Sequence, residues 1–398
     1  MSGKRLDVAV LLLGFLAFWA NGDNYAAAPL LVRIASDLSL DIGTAALSVT
    51  SYMLFFGLLT VFFGPLGDRY GRARILKVAA FGSAVFSMLS AFVWDLPSLI
   101  IARAVNGGFS AGIMPLAVAY AGESSTPQTR QTRIGVVMGL MFLGGAMATA
   151  IGGAVASVGS WKIVYFIYGA AEFLTAIPLA FLLKGKATSP AAGILSSYKA
   201  VFANRKLLKA IGILFFVGFS TLGTFAFLGK FIQDAAQLNL ILVGGILSAY
   251  GIGTLVGGMF SGGIRARIGA RIFPAAGAMG FAGLLVLGIT NALPSLAVPA
   301  LFLYGLGFIC LQSSIITTAQ DLLPDRRGAV MSIASFTMVV SGALGTLING
   351  KILAAGGYIV LIGLASLAFA AAGVLAAVLL RSRRARSYEP SRPPAAGP

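Results

Sequence analysis

Long apolar runs separated by short clusters of arginine and lysine constrain this chain more than any other feature. Twelve such runs can be read, at roughly 8–31, 44–63, 76–94, 97–121, 134–156, 162–183, 209–229, 240–262, 272–291, 295–318, 329–349 and 358–380. Each approaches the ~20 residues that an α-helix needs to cross a bilayer. Charged residues make up 10% of the chain, against roughly 25% in soluble domains. The expected class is therefore an all-α membrane protein with twelve transmembrane helices. The 51 glycines suit it, because small residues let membrane helices approach closely.

The basic residues give the runs a direction. The N-terminus, the loops 64–75, 122–133, 184–208, 263–271 and 319–328, the C-terminal tail and the run-edge residues Lys77 and Lys209 together hold 24 of the 29 Lys and Arg. The opposite side holds four, Arg33, Lys162, Lys230 and Lys351, and Arg103 lies within a run. By the positive-inside rule both termini are expected in the cytoplasm. This clustering between apolar runs also accounts for the net charge of +17 without nucleic acid. A cleavable signal peptide over residues 1–28 is not expected, since its apolar stretch is too long and belongs to the regular series. The single Cys310 excludes an internal disulfide and indicates no thiolate metal cluster. Histidine is absent, so proton-linked chemistry would have to use carboxylates.

A shift of about 197 residues superposes two halves. Leu-Pro-Ser-Leu occurs at 96–99 and at 293–296, and Pro127 matches Pro324. Gly-Ala-Met-Ala-Thr-Ala-Ile-Gly-Gly (145–153) matches Gly-Ala-Leu-Gly-Thr-Leu-Ile-Asn-Gly (342–350). The expected organisation is a six-helix bundle over 1–183, a cytoplasmic linker over 184–208, a second bundle over 209–380 and a basic, disordered tail over 381–398. Parallel repeats of this kind place a binding site between them near mid-bilayer, which points to a transporter. The first, fourth, seventh and tenth spans would line it.

The loop after the second span reads Gly-Pro-Leu-Gly-Asp-Arg-Tyr-Gly-Arg-Ala-Arg (64–74). It resembles the Gly-x-Leu-x-Asp-Arg-x-Gly-Arg signature of the major facilitator superfamily, with Ala73 as an extra residue before Arg74. The matching second-half loop (262–271) has Ala266 where the aspartate would stand. The resemblance implies two pseudo-symmetric six-helix bundles and a gate formed by Gly64, Asp68, Arg69, Gly71 and Arg72. In the family this aspartate faces the start of the eleventh helix, here near Gly328 to Met331. Asp68 can accept from a helix N-terminus and pair with Arg69 or Arg72, which supports the gate; an acid in an ordinary basic topogenic loop is the lesser alternative.

Arg103 lies in Leu-Ile-Ile-Ala-Arg-Ala-Val-Asn-Gly-Gly (99–108), similar to the family's Leu-x-x-x-Arg-x-x-Gln-Gly with Asn106 for Gln. A charge at such depth marks a functional site by default. The helical rise puts Arg103 ~7 Å and Asp23 ~10 Å in from the outer face, so the two can pair. Burial favours the neutral carboxyl and a neighbouring arginine the charged one. Asp23 is thus a candidate proton carrier, with a permanent salt bridge as the alternative. Glu172, on one face with Tyr165 and Tyr168, could bind a proton or a cationic substrate, or be a structural carboxylate on a helix that is usually peripheral in the family.

The fifth span keeps Gly144, Gly152 and Gly153 of a run resembling the family's antiporter motif, with Ala148 and Thr149 in place of its inner Gly-Pro. Candidate cavity residues are Trp19, Asn21 and Tyr25 on the first span, and Asn106 and Phe109 on the fourth. Phe216, Thr221 and Phe225 on the seventh and Tyr304, Phe308 and Gln312 on the tenth complete the set. An aromatic, sparsely polar lining suits bulky apolar cargo. The expected function is proton-coupled efflux of small amphipathic or drug-like compounds across the bacterial inner (plasma) membrane, as in the twelve-helix drug:proton antiporters. Uptake or efflux of a sugar or other metabolite on the same scaffold is the alternative, and a non-transporting membrane sensor a remote one. An enzyme is not expected, nor any metal or cofactor beyond the proton gradient. The expected partners are a small-molecule substrate and the lipid bilayer, and the expected state is a monomer.

Overall fold

The protein is described here by a computed structural model covering residues 3–40, 42–45, 47–158, 160–184, 194–238 and 240–380. Among the described residues all regular structure is helical. The long helices are α1 (Gly3–Asp37), α2 (Leu47–Tyr70), α3 (Arg72–Leu89), α4 (Leu96–Glu123), α5 (Pro127–Val158) and α6 (Trp161–Leu182). There follow α7 (Arg205–Ala236), α8 (Leu240–Ile268), α9 (Ile272–Ile289), α10 (Pro294–Leu322) and α11 (Arg327–Leu379). Every apolar run falls on one of them. The last two runs share α11, which breaks at Gly357, where φ is 73° and a side chain would be strained. Nine helical segments among the described residues are long and apolar enough to cross a membrane, one of them running through α8 and α9. The expected count of twelve crossings is not reached by that measure. Large apolar side chains face outward, including Leu54 and Leu58 on α2 and Phe181 on α6. Lipid, not water, is the solvent that such faces suit.

Within the first half α1 packs on α5 and α6, α2 on α4, and α3 on α4 and α6. In the second half α7 packs on α11, and α10 on α8 and α9. The halves meet through α5 against α8 and through α2 against α11. Both seams depend on glycine: a Cβ on Gly135 or Gly258 would strike the facing backbone across the first, and one on Gly64 would strike Gly328 across the second. The expected linker 184–208 contains a short helix, Ile194–Ala203. The expected tail 381–398 lies outside the described residues.

Candidate functional site

The buried ion cluster is built from the ends of three consecutive choices in α4. Asp95 caps the helix, its carboxylate accepting from the Ser98 N–H at 2.9 Å, and Pro97 sits in the first turn where no N–H is needed. Two turns on, Arg103 points inward, and Gly107 lets α4 lie against the Tyr52 carbonyl of α2. Arg103 Nη1 donates to Asp23 Oδ2 at 2.9 Å and to Asn106 Oδ1 at 3.1 Å. The rings of Tyr52 and Tyr165 lie on the guanidinium, each with its centroid 4.5 Å from the central carbon. Asn106 is fixed in turn by donating to the Ser83 carbonyl at 2.8 Å, and the Ser83 and Ser110 hydroxyls are 2.7 Å apart.

The pair is sealed: the side chains of Arg103 and Asp23 are 1% and 0% exposed. Desolvating two ions commonly costs as much as their attraction returns, so such a pair is weak evidence for stability and stronger evidence for use. Glu172 is also fully buried, and neither of its oxygens accepts a hydrogen bond. Its helix is not peripheral here, because Tyr165 of α6 covers Arg103 and Tyr168 packs on Gly22 and Trp19 of α1. Beside the cluster lies a small cavity of about 30 Å³ lined by Asn21, Asn24, Tyr52, Ser110, Met114 and Met141.

Among the described residues the second-half interior holds no fully buried charged side chain. Tyr250 stands 5.2 Å from Tyr304 and 5.9 Å from Phe308, ring centre to ring centre, and Phe225 is 4.8 Å from Tyr250. Phe308 also meets Phe142 of the first half at 4.8 Å. The hydroxyls of Thr221, Tyr250 and Tyr304 and the amide of Gln312 are buried without hydrogen-bond partners.

At the basic end the signature loop closes the α2–α11 seam. Asp68 accepts from the N–H groups of Gly328 (3.1 Å) and Ala329 (3.0 Å), which head α11 and carry its positive dipole end. Arg72 donates to Asp68 at 2.6 Å and to Glu123 at 2.5 Å. Pro65 has no N–H, so it leaves the Val61 carbonyl without its helical partner. The hydroxyl of Tyr198, from the short linker helix, donates to that carbonyl. Ser332 of α11 serves α2 likewise, accepting from the Gly64 N–H at 2.9 Å and donating to the Thr60 carbonyl at 2.7 Å. On the α5–α8 seam Arg265 binds Gln131 Oε1 at 2.9 Å and Thr318 at 3.0 Å, and Arg130 pairs with Asp321 of α10.

Residues 11–346 match the Major Facilitator Superfamily family profile. The chain belongs to that superfamily. It is therefore a multi-pass membrane protein of that superfamily. It is 28% identical over 221 residues to an uncharacterized transporter, YgaY, of Escherichia coli O157:H7, a match spanning 54% of this chain and 56% of that protein. The chain thus spans little more than half of that relative's length. It is 32% identical over 176 residues to the multidrug efflux pump LfrA of Mycolicibacterium smegmatis, covering 44% of this chain and 33% of LfrA. In fold it is similar to the human organic anion transporter MFSD10, with a TM-score of 0.76 at 16% identity, covering 94% of this chain and all of that one.

Several residues expected on the cavity wall sit elsewhere in this superfamily member. Phe216 is 52% exposed on the outer face of α7. Phe109 fills the space over Gly82 and stacks on Phe86, joining α4 to α3. Asn106 belongs to the Arg103 network, and Thr221, Tyr304, Phe308 and Gln312 are buried in packing rather than open to a cavity. Asn21 donates to the Met141 carbonyl and borders the small cavity, while Trp19 packs on Phe18 and Tyr168. Tyr25 is 38% exposed and abuts Gly145. In the signature loop, Arg69 is exposed over the ring of Tyr70, and Arg72 is the partner of Asp68. Gly71 makes the turn into α3 at φ 95°. Gly144 lets α5 touch the Phe18 backbone of α1; the surroundings of Gly152 and Gly153 lie outside the described residues. Sequence reasoning missed Tyr52, Tyr250, Ser332 and Tyr198. The repeat held a signal for Tyr250, one residue off the spacing from Tyr52, and Pro65 held one for Tyr198.

Proposed function

We propose that the protein exports small amphipathic, drug-like compounds in exchange for protons, by alternating access between its two halves. The carrying observation is the sealed Asp23–Arg103 pair, with Glu172 beside it, at the edge of a cavity bounded by α1, α2, α4 and α5. A carboxylate that pairs with arginine when ionised and releases it when protonated couples proton occupancy to the position of α1 against α4. The similarity to LfrA supports a drug as cargo. The aromatic second-half interior, whose buried hydroxyls and amide lack partners, offers stacking and a few hydrogen bonds to such a molecule. With the basic side taken as cytoplasmic, the ion pairs and charged hydrogen bonds between the halves lie towards the cytoplasmic end, which supports a closed cytoplasmic side. The proton gradient is the energy source, no cofactor is needed, and the working unit is a monomer in the bacterial inner membrane. Asp68, Arg72 and the start of α11 form the cytoplasmic gate.

Inside-out vesicles carrying the protein and a lumenal pH dye provide the test. Ethidium added outside should drive proton release from acidified vesicles, and Asp23→Asn should abolish it. No release by wild type, or equal release by the variant, sinks the proposal.

A further inference from the structure

Glu172 is buried in the cluster with neither carboxyl oxygen accepting a hydrogen bond, whereas Asp23 Oδ2 accepts from Arg103. The groups acting on Glu172 come from four other helices: Asp23 of α1, Tyr52 of α2, Ser83 of α3 and Arg103 of α4, with Tyr168 one turn away on its own helix. Arg103 is the cation among them: its Nη1 donates to Asp23 and Asn106, two rings cover its faces, and its Nε and Nη2 have no partner, so none of its N–H groups bonds Glu172. With both acids ionised the cluster would carry a net charge of −1 in a sealed volume. With one proton it is neutral, and a neutral acid lacking donors is far cheaper to bury than a carboxylate lacking them.

The position of Glu172 is as informative as its charge. Glu172 lies eleven residues into α6 from Trp161 at its outer end, ~16 Å at the helical rise, against ~10 Å for Asp23, so it sits about one turn nearer the basic end. We infer that Glu172 is a second seat of the transported proton: it is the neutral acid of this sealed cluster and exchanges its proton with Asp23. In the transfer the Glu172 O–H bond breaks and an O–H bond forms at Asp23 Oδ1, which accepts no hydrogen bond here. The negative charge moves to Glu172, Arg103 loses its ionised partner on α1, and the cluster stays neutral throughout. This assignment rests on the proton-coupled reading for its purpose, but the proton itself can be observed without transport.

Infrared spectroscopy of the full chain in lipid vesicles at neutral pH reads it directly. Wild type should show the carbonyl stretch of a protonated carboxyl. Glu172→Asp should move that band, Asp23→Glu should leave it in place, and Glu172→Gln should remove it. Asp23→Asn should also remove it, because Arg103 then takes Glu172 as its counter-ion. Absence of the band in wild type overturns the inference, as does a band that Asp23→Glu moves or that survives Glu172→Gln. If Glu172→Gln does not fold, the two conservative variants decide alone. Should the band behave as stated while ethidium drives no proton release, the antiport reading fails and the assignment of the proton stands.

Discussion

The two halves share a repeat but not an interior. Tyr52 lies against Gly107 in the first half, and Tyr250 lies against Gly305 in the second, the same contact at the repeat spacing. Around that shared frame the chemistry diverges. Within a residue of the positions matching Asp23, Arg103 and Glu172, the second half has Ser220–Thr221, Ala300–Leu301 and Phe369–Ala370. The Phe369 ring fits over Gly280 where the first half sets Glu172 before Ser83. The difference teaches that the scaffold does not need the ions. One copy of the same helix packing is completed with aromatic rings, the other with two acids and an arginine. A feature present in one copy and dispensable in the other is better explained by what the molecule does than by how it folds.

Removing one partner of the buried pair should break that contrast most strongly. Arg103→Met leaves Asp23 and Glu172 buried without a cation and is expected to cost about 3–5 kcal/mol. Adding Asp23→Asn should return part of that loss. Tyr304→Phe in the second half, which removes a hydroxyl without a partner, should leave thermal unfolding in detergent nearly unchanged. An Arg103→Met protein that melts like wild type would refute the comparison.

A smaller effect separates recognition from coupling. Tyr304→Phe and Gln312→Ala should raise the half-saturating ethidium concentration several-fold while protons released per ethidium stay constant. If either variant uncouples transport as Asp23→Asn does, the division between the halves is wrong.

The gate should respond more weakly still. Asp68→Asn gives up a charged acceptor for two N–H groups and Arg72, about 1.5–3 kcal/mol of the closed state. Tyr198→Phe gives up one neutral bond, about 1 kcal/mol. Spin labels on Arg69→Cys and on Asp325→Cys, in the short turn Pro324–Arg326 before α11, in a Cys310→Ala background, should show wider distances in that order.

Much of this was legible in the chain because the bilayer makes sequence speak loudly. Apolar length gave the helices, basic clusters their order, and a single depth estimate brought Asp23 and Arg103 together. What stayed hidden was direction around each helix axis. Phe216 and Phe225 are both aromatic residues of one span, yet one faces outward and the other meets Tyr250. Glycine-rich helices carry little amphipathic signal in lipid, where both faces are apolar, so periodicity cannot orient them. The short linker helix was missed for a different reason: its role is to satisfy a carbonyl freed by Pro65 more than a hundred residues earlier.

The smallest test returns to the repeat itself. Leu-Pro-Ser-Leu opens α4 and α10 alike, but Asp95 precedes it in the first copy and Ala292 in the second. Asp95 caps α4, and no side chain caps α10. Hydrogen bonds from the Ser98 hydroxyl and N–H hold the Asp95 carboxyl below its ordinary value of 3.8. A group depressed in the folded state adds stability above its unfolded value, and that stability fades as pH falls through the folded one. Asp95 is fully exposed, so solvent and salt screen the contribution and the effect is slight. Wild type should therefore lose a little thermal stability between pH 5 and pH 3, in steps that Asp95→Asn no longer shows at that cap, while Ala292→Ser should leave the acid limb untouched. An Asp95→Asn protein with an unaltered acid limb would mean that the first copy of the motif is held by its prolines and packing alone, as the second already is.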